Sequence, residues 1–138
     1  MAIQPVGAVR QHSGMPPEVT PPGWPTRVRP SYAPGFERSA VNWLFDQCPP
    51  EYRAYPVLQR HPQVLARFAV IHLVAMTEAA RRGLSGARTE LGDVATPEVV
   101  AQVVEAWNAE GARLSARARE ARLVEEALRG RRYTARLT

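Results

Sequence analysis

The sequence contains no lysine, because all 18 of its lysine-or-arginine residues are arginines. A chain without lysine has no Schiff-base amine, no phosphate-binding P-loop lysine and no lysine general base. The single cysteine, Cys48, has no partner for an intrachain disulfide and no neighbours at the spacing of a zinc site. These absences exclude several large classes of enzyme at once.

Long apolar runs are also missing. The longest, residues 64–76, has 13 residues and includes Arg67 and His72. Because a membrane span needs about 20 apolar residues, this run predicts a buried core helix instead. The first residues hold no apolar segment of the kind found in a signal peptide. We therefore expect a cytoplasmic protein without a membrane span.

Proline is scarce in the body of the chain and crowded near its start. Eight of the 13 prolines lie within residues 1–35, and only Pro97 lies beyond Pro62. Proline lacks an N–H donor and disfavours helix in the residue before it, so this segment predicts an extended, proline-rich arm. We expect the arm to lie across the body, the alternative being a mobile arm. Its candidate anchors recur every fourth residue and are Trp24, Val28, Tyr32 and Phe36.

Beyond the arm the spacing of apolar residues becomes helical. Apolar residues three or four apart predict helices over 36–47, 62–91 and 97–129. Thr96 followed by Pro97 is typical of a helix start, because threonine caps free N–H groups and proline suits the first helical position. Small residues in the second helix are expected to allow close approach of a neighbour. They are Ala75, Ala79, Gly83 and Gly86.

Two long helices joined by a five-residue turn must lie antiparallel. The sequence therefore predicts an all-α fold, a long antiparallel helical hairpin (62–91 and 97–129) covered by the shorter helix 36–47 and the irregular proline-rich arm. Gly130 is expected to end the last helix. The expected parts of the chain are the extended arm 1–35, the helical domain 36–130 and the basic C-terminal tail 131–138.

The histidines carry no sign of a metal site. None has another histidine, a cysteine or a carboxylate at ligand spacing on the same helix face. His72 is expected to be a hydrogen-bonded core residue, and nearby Arg67 to pair with Glu105 or Glu110 of the facing helix. No serine stands in a nucleophile-elbow context. We therefore expect no catalytic residue, no metal and no cofactor.

Aromatic residues and arginines are densest between residues 43 and 61. Arginine interleaved with tyrosine is a pattern that stacks on nucleic-acid bases. It is equally the pattern of a cap that packs its rings on the hairpin and leaves its arginines in water. We favour the cap and expect any partner to bind there. The partner-binding candidates are Trp24, Tyr52, Arg53, Tyr55 and Arg60.

The net charge of +5 is concentrated near the C-terminus. Between Arg113 and Thr138 there are eight arginines and three glutamates, which account for the whole excess. Such a stretch suits nucleic acid, an acidic protein or an anionic membrane surface. Three of these arginines are expected to lack a carboxylate partner and to be available to a polyanion. They are Arg131, Arg132 and Arg136.

The leading hypothesis for function is a non-catalytic protein-interaction module. A hairpin of this length has more apolar face than one short helix and an arm cover, so we expect a protein partner or self-association. The chain would then be a small subunit or adaptor of a larger cytoplasmic assembly, docking through helix faces and the proline-rich arm. The alternative is an RNA- or DNA-binding accessory protein that uses the C-terminal arginines and the Tyr52–Arg60 cluster.

Overall fold

The computed structural model describes residues 19–131, and every structural statement below concerns that part of the chain. The chain is all-helical there, with no β-strand, as predicted. The three predicted helices are confirmed to within one residue at each end. The helices are α1 (Phe36–Asp46), α2 (Pro56–Arg60), α3 (Pro62–Leu91) and α4 (Pro97–Leu128), with a 3-10 turn at Pro50–Ala54.

The arm is not extended over residues 19–35, so that part of the prediction is wrong. Two turns run through Pro-Gly pairs, and their glycines, Gly23 and Gly35, have φ of +86° and +82°. In the first turn the Trp24 N–H donates to the Pro21 carbonyl at 3.1 Å. Proline in the second position and glycine in the third form a type II turn, because only glycine adopts the positive φ readily. Over residues 19–35 the arm is therefore a series of turns.

Part of the arm is anchored on the body, as expected. Val28 is buried, and Pro25 is among the largest fully buried side chains. The Trp24 ring lies 6.1 Å from the Phe36 ring, and its Nε1–H donates to the Val28 carbonyl at 2.9 Å. Tyr32 is 51% exposed, so its predicted role as an anchor is wrong.

Local sequence signals set both ends of α4. The Thr96 hydroxyl oxygen accepts a hydrogen bond from the Val99 N–H at 3.3 Å, which satisfies one free donor at the helix start. At the other end Gly130 has φ +82°, and the N–H groups of Gly130 and Arg131 each donate back to helix carbonyls at 3.0 Å. This pair of bonds is a Schellman motif. Both predicted ends are therefore confirmed.

Helix α3 runs without a break through its two glycines. Gly83 faces α4, where the Trp107 ring lies so close that a Cβ at Gly83 would be 2.2 Å from its Cε2 atom. The atoms nearest to a Cβ at Gly86 belong instead to α3 itself. Ala75 and Ala79 are exposed. The predicted close approach of a neighbour is therefore confirmed at Gly83, where the neighbour is α4, whereas Gly86 meets only its own helix and Ala75 and Ala79 are exposed within residues 19–131.

The core is concentrated at the end of the hairpin away from the turn. There α1, α2 and the arm pack with the first half of α3 and the second half of α4. Near the turn, within residues 19–131, α3 and α4 pack only on each other, and most of their facing apolar residues are half-buried. The core residues are Val28, Ala40, Trp43, Leu44, Phe45, Leu58, Leu65, Ala66, Ala69, Val70, Leu73, Ala80, Leu114, Ala118, Ala121 and Val124.

The register of the hairpin corrects one predicted ion pair. The Nε atom of Arg67 lies 3.1 Å from Oε2 of Glu125, not near Glu105 or Glu110. Facing residues of an antiparallel hairpin lie about equally far from its turn, and Arg67 and Glu125 are each 29 residues from Thr96. Glu110 is 15 residues closer to the turn than Glu125, which at 1.5 Å per residue is about 22 Å along α4.

Candidate interaction surface

Helix α3 is apolar on two opposite sides in its first half. On one side Leu65 and Ala69 are fully buried in the core. On the other side Val64, Phe68 and Ile71 are exposed by 37%, 39% and 59%, so the prediction of a buried core helix is wrong for this side. A helix that is apolar all round is normally covered all round. We call the exposed side the outer patch and define it as Val64, Phe68, Ile71 and Ala75.

The outer patch is one straight stripe. Its members are spaced four, three and four residues apart, which places them on one helix face over about 16 Å. No charged residue interrupts the stripe before Ala75, and the same face then continues with Glu78 and Arg82. Arg67 lies at its flank, but its guanidinium group is held by Glu125. The stripe is therefore suited to an apolar contact.

By length and composition alone, α3 is the one helix within residues 19–131 that is long and apolar enough to cross a membrane. Core helices of globular proteins pass the same test. A third of the most apolar window of α3 is buried against the rest of the chain. Binding of the outer patch to lipid therefore has to be tested alongside its binding to protein.

Two tyrosines lie beside the outer patch, and one of them, Tyr52, is level with its middle, next to Phe68 and His72. The Tyr52 ring lies edge-on to the Phe68 ring, with centroids 5.8 Å apart, and 6.1 Å from the His72 ring. The Tyr55 ring lies 6.1 Å from that of Tyr52 and is half exposed. His72 is half-buried and makes this ring contact, with no side-chain hydrogen bond of its own within residues 19–131. We call Tyr52 and Tyr55 the tyrosine pair.

The other predicted partner-binding residues do not join the outer patch in the same way. Arg53 binds Asp46 at 2.8 Å, and its Cζ atom lies 5.1 Å from the centre of the Phe45 ring. Trp24 holds the arm in place. Arg60 is exposed at the end of α2, just before α3, and forms no ion pair within residues 19–131. Of the predicted residues, the tyrosine pair therefore lies beside the outer patch, and Arg60 is exposed to solvent.

One carboxylate is buried. Glu125 is 6% exposed, and its Oε2 atom lies 3.1 Å from Nε of Arg67 and 3.3 Å from Nη2 of Arg129. Burying a charge is costly unless opposite charges and hydrogen bonds surround it, and the two half-exposed guanidinium groups supply these. The ion cluster joins the first half of α3 to the end of α4.

Cys48 is a poor candidate for a nucleophile. Its side chain is half-buried, and burial raises the pKa of the thiol to about 11, although the charge of Arg53 partly opposes this rise. The reactive form of cysteine is the thiolate. At neutral pH Cys48 is therefore a protonated, weakly reactive thiol.

The predicted polyanion-binding residues lie at the edge of the described part of the chain. The Nη1 atom of Arg131 lies 3.8 Å from Oε2 of Glu126, so the prediction that Arg131 lacks a carboxylate partner is wrong. Arg132 and Arg136 lie outside the described residues. Of the three predicted polyanion-binding arginines, the structure therefore describes Arg131, which faces a carboxylate.

A shallow groove of about 290 Å³ lies between α3 and α4 near the middle of the hairpin. Its lining mixes apolar Leu84 and Trp107 with polar Arg81 and Asn108. From Val19 to Arg131, no group of three or more histidine, cysteine, aspartate or glutamate side chains is placed to hold a metal ion. The groove therefore offers contact area of mixed apolar and polar character.

Sequence reasoning missed the outer patch and Glu125. The signal for the outer patch was present, because apolar residues between positions 64 and 76 occupy both sides of the helix. The signal for Glu125 was its distance from the turn, which matches that of Arg67. Apolar residues and glutamate are both common in helices, so composition alone did not reveal the outer patch or the buried Glu125.

Comparison with other proteins assigns no family to the chain. No protein-family model matches it, no curated protein matches it, and no solved structure matches it. The surfaces of the chain itself are therefore what bears on its function.

Proposed function

We propose that this chain is a non-catalytic protein-interaction module that docks through the outer patch. The observation that supports the proposal is the exposure of Phe68 and Ile71 on the side of α3 opposite the core. Apolar surface left in water costs about 25 cal/mol per Å², and contiguous apolar patches mark interaction sites. The module would be a small subunit or adaptor of a larger cytoplasmic assembly.

The apolar character of the patch favours a protein partner over nucleic acid. Nucleic-acid binding draws most of its affinity from arginine and lysine at phosphates. Arg53 and Arg131 each face a carboxylate, which reduces their availability to phosphate. In the arm, Val28 is buried in the core and Trp24 donates a hydrogen bond to the Val28 carbonyl, so these side chains are already engaged within the chain. We therefore assign docking to α3 rather than to the arm.

The test compares two variants of the tagged full chain. Phe68→Glu/Ile71→Glu places charges in the outer patch, and Val94→Glu makes the same change at the turn, where Val94 is 77% exposed. Each chain is captured from cells that produce it, with and without nuclease. Circular dichroism checks that all three chains keep their helical signal, which we expect because the replaced side chains are on the surface.

We expect the wild type and Val94→Glu to retain the same partner chain in both conditions. The outer-patch variant should lose it by about thirtyfold or more, the factor for loss of one central contact of about 2 kcal/mol. Capture that disappears with nuclease would support the nucleic-acid alternative. Binding of the purified chain to lipid vesicles that requires Phe68 and Ile71 would also overturn the proposal.

A further inference from the structure

The ion cluster, which consists of Arg67, Glu125 and Arg129, holds two cations and one anion. Oε2 of Glu125 lies 3.1 Å from Nε of Arg67 and 3.3 Å from Nη2 of Arg129, so the two guanidinium groups share one oxygen atom. Among residues 19–131 neither group has a second carboxylate within ion-pair distance, and Glu126, the next residue along α4, pairs with Arg131. The cluster therefore has a net charge of +1.

Arg67 places the ion cluster directly beside the outer patch. It follows Val64 by three residues and precedes Ile71 by four, and residues at these spacings are neighbours on a helix surface. The side chains of Arg67 and Arg129 are 46% and 42% exposed, whereas Glu125 is buried. The part of the cluster that meets solvent is therefore cationic, and it adjoins an apolar stripe.

The buried carboxylate holds the two guanidinium groups in place. A free arginine side chain has many rotamers and loses this freedom when it binds a ligand, whereas Arg67 and Arg129 are already held by Glu125. Arg129 donates one hydrogen bond to Glu125, although a guanidinium group has five N–H donors. The cluster is therefore preorganised to bind one further carboxylate from outside.

The spacing of the outer patch indicates the shape of its partner. Its members lie four, three and four residues apart, as in the seam where one helix packs along another. The two flanks of this seam differ, because Arg67 lies on one side and the Tyr52 ring, packed on Phe68 and His72, lies on the other. Charged residues at the flanks of such a seam select the partner helix. A helix that matches this seam is acidic on the flank that faces Arg67.

We infer, building on the proposed function, that the partner of the outer patch is an amphipathic helix with acidic side chains along one flank. One of its carboxylates binds the guanidinium groups of Arg67 and Arg129. An exposed ion pair in water contributes little affinity. At the edge of the seam the apolar contact excludes water, and arginine can bind a carboxylate through two parallel hydrogen bonds, which strengthens and orients the pair.

Two synthetic helical peptides probe the purified full chain. Both are about 18 residues long, which gives about 27 Å of helix, and both carry leucine at the seam positions. One peptide has glutamate along one flank, and the other has glutamine at the same positions. NMR of the isotope-labelled chain follows the Ile71 methyl groups and the Nε–H groups of Arg67 and Arg129 during each titration.

We expect the glutamate peptide to bind at least about tenfold more tightly than the glutamine peptide at low salt. The difference should shrink as added salt screens the ion pair. With the glutamate peptide the Ile71 and arginine signals should shift together, because one docked helix contacts both. The glutamine peptide should shift the Ile71 signals and leave the Nε–H signals nearly unchanged.

The variant Arg67→Gln/Glu125→Gln tests the ion cluster itself. It removes one cation and one anion, so the net charge of the chain stays at +5 and no carboxylate is left buried beside a missing partner. The preference for glutamate should fall to about twofold or less, because Arg129 alone is no longer preorganised. Arg88→Gln removes an exposed cation near the turn and should keep the full preference. Circular dichroism checks that both variants keep their helical signal.

Other results with the peptides overturn the inference. Equal binding of both peptides through Ile71 overturns it and leaves the proposed function standing. A glutamate preference that persists in Arg67→Gln/Glu125→Gln also overturns it, because other arginines then provide the preference. If neither peptide shifts the Ile71 signals, the inference is wrong, and the capture experiment alone decides on the proposed function.

Two other occupants of the outer patch are tested on the same chain. A dimer in sedimentation that Phe68→Glu/Ile71→Glu returns to the monomer mass of 15.3 kDa would assign the patch to a second copy and overturn the inference. Binding to phosphatidylcholine vesicles that the same variant abolishes would assign the patch to lipid. That result would overturn both the inference and the proposed function.

Discussion

Replacing Gly83 with alanine sets two opposing effects against each other. In the interior of a helix alanine is more stable than glycine by about 1 kcal/mol. A Cβ at position 83, however, would lie 2.2 Å from Cε2 of Trp107 and 2.5 and 2.7 Å from two further atoms of the ring. The ring is rigid, so the whole indole must move by roughly an ångström or more, and overpacking of this kind costs about 1 to 3 kcal/mol.

Gly111→Ala is the matched control. Gly111 lies inside α4, and a Cβ there would be 3.9 Å from the Cβ of Ala80, an ordinary van der Waals distance. The gain in helix stability is the same in both variants and cancels in their difference. We therefore expect Gly83→Ala to be less stable than Gly111→Ala by about 1 to 3 kcal/mol of unfolding free energy.

Urea unfolding followed by circular dichroism measures this difference. The chains are compared at one protein concentration, because self-association makes apparent stability depend on concentration. In a Trp107→Ala background the ring is absent, so Gly83→Ala should become stabilising by about 1 kcal/mol. Equal stabilities of Gly83→Ala and Gly111→Ala, within about 0.5 kcal/mol, would refute the close packing of Trp107 on Gly83.

Two further predictions concern the ion cluster and the thiol. Arg67→Met leaves the buried Glu125 with Arg129, so we expect a loss of about 1 to 3 kcal/mol in urea unfolding. The loss of unfolding free energy on Arg67→Met should be much smaller in a Glu125→Gln background. Equal losses in the two backgrounds would contradict the ion cluster. Since burial raises the pKa of Cys48 from 9.0 to about 11, iodoacetamide at pH 8 should alkylate the folded chain about a hundredfold more slowly than the urea-unfolded chain. The raised pKa also means that the stability contributed by the neutral thiol is complete below pH 9.0 and is lost as pH rises toward 11. Cys48→Ser should lack this loss in alkaline unfolding curves, and similar alkylation rates in the folded and unfolded chains would contradict the burial.

The helices were predictable because their signals are local. The period of apolar residues, the Thr96 cap and Gly130 each act within one or two helical turns, and the structure confirms what they predict. The shape of the arm was missed because prolines were counted without their following glycines. A glycine at the third position, as at Gly23, converts an extended segment into a turn.

The candidate surface was harder to predict because it depends on tertiary packing. The run 64–76 indicates an apolar helix, but it does not say which side α1, α2 and the arm will cover. Arg131 was expected to lack a partner because helix spacing gives it none one turn away. The Schellman motif after Gly130 turns the chain back, so the Arg131 N–H reaches the Glu126 carbonyl and its side chain approaches the Glu126 carboxylate. Such contacts depend on how a helix ends, and the spacing of its apolar residues does not predict them.

The position of the outer patch on α3 bears on how well it can bind. The segment that displays Phe68 and Ile71 carries fully buried residues such as Leu65 and Ala69 on its opposite side. Segments with dense buried contacts open least readily, whereas the part of the hairpin near the turn has fewer of them. A docking face on the better supported half loses little conformational entropy when a partner binds. For the same reason, a polar substitution at Ile71, which is 59% exposed, should affect association far more than folding, whereas Phe68 also packs edge-on against Tyr52.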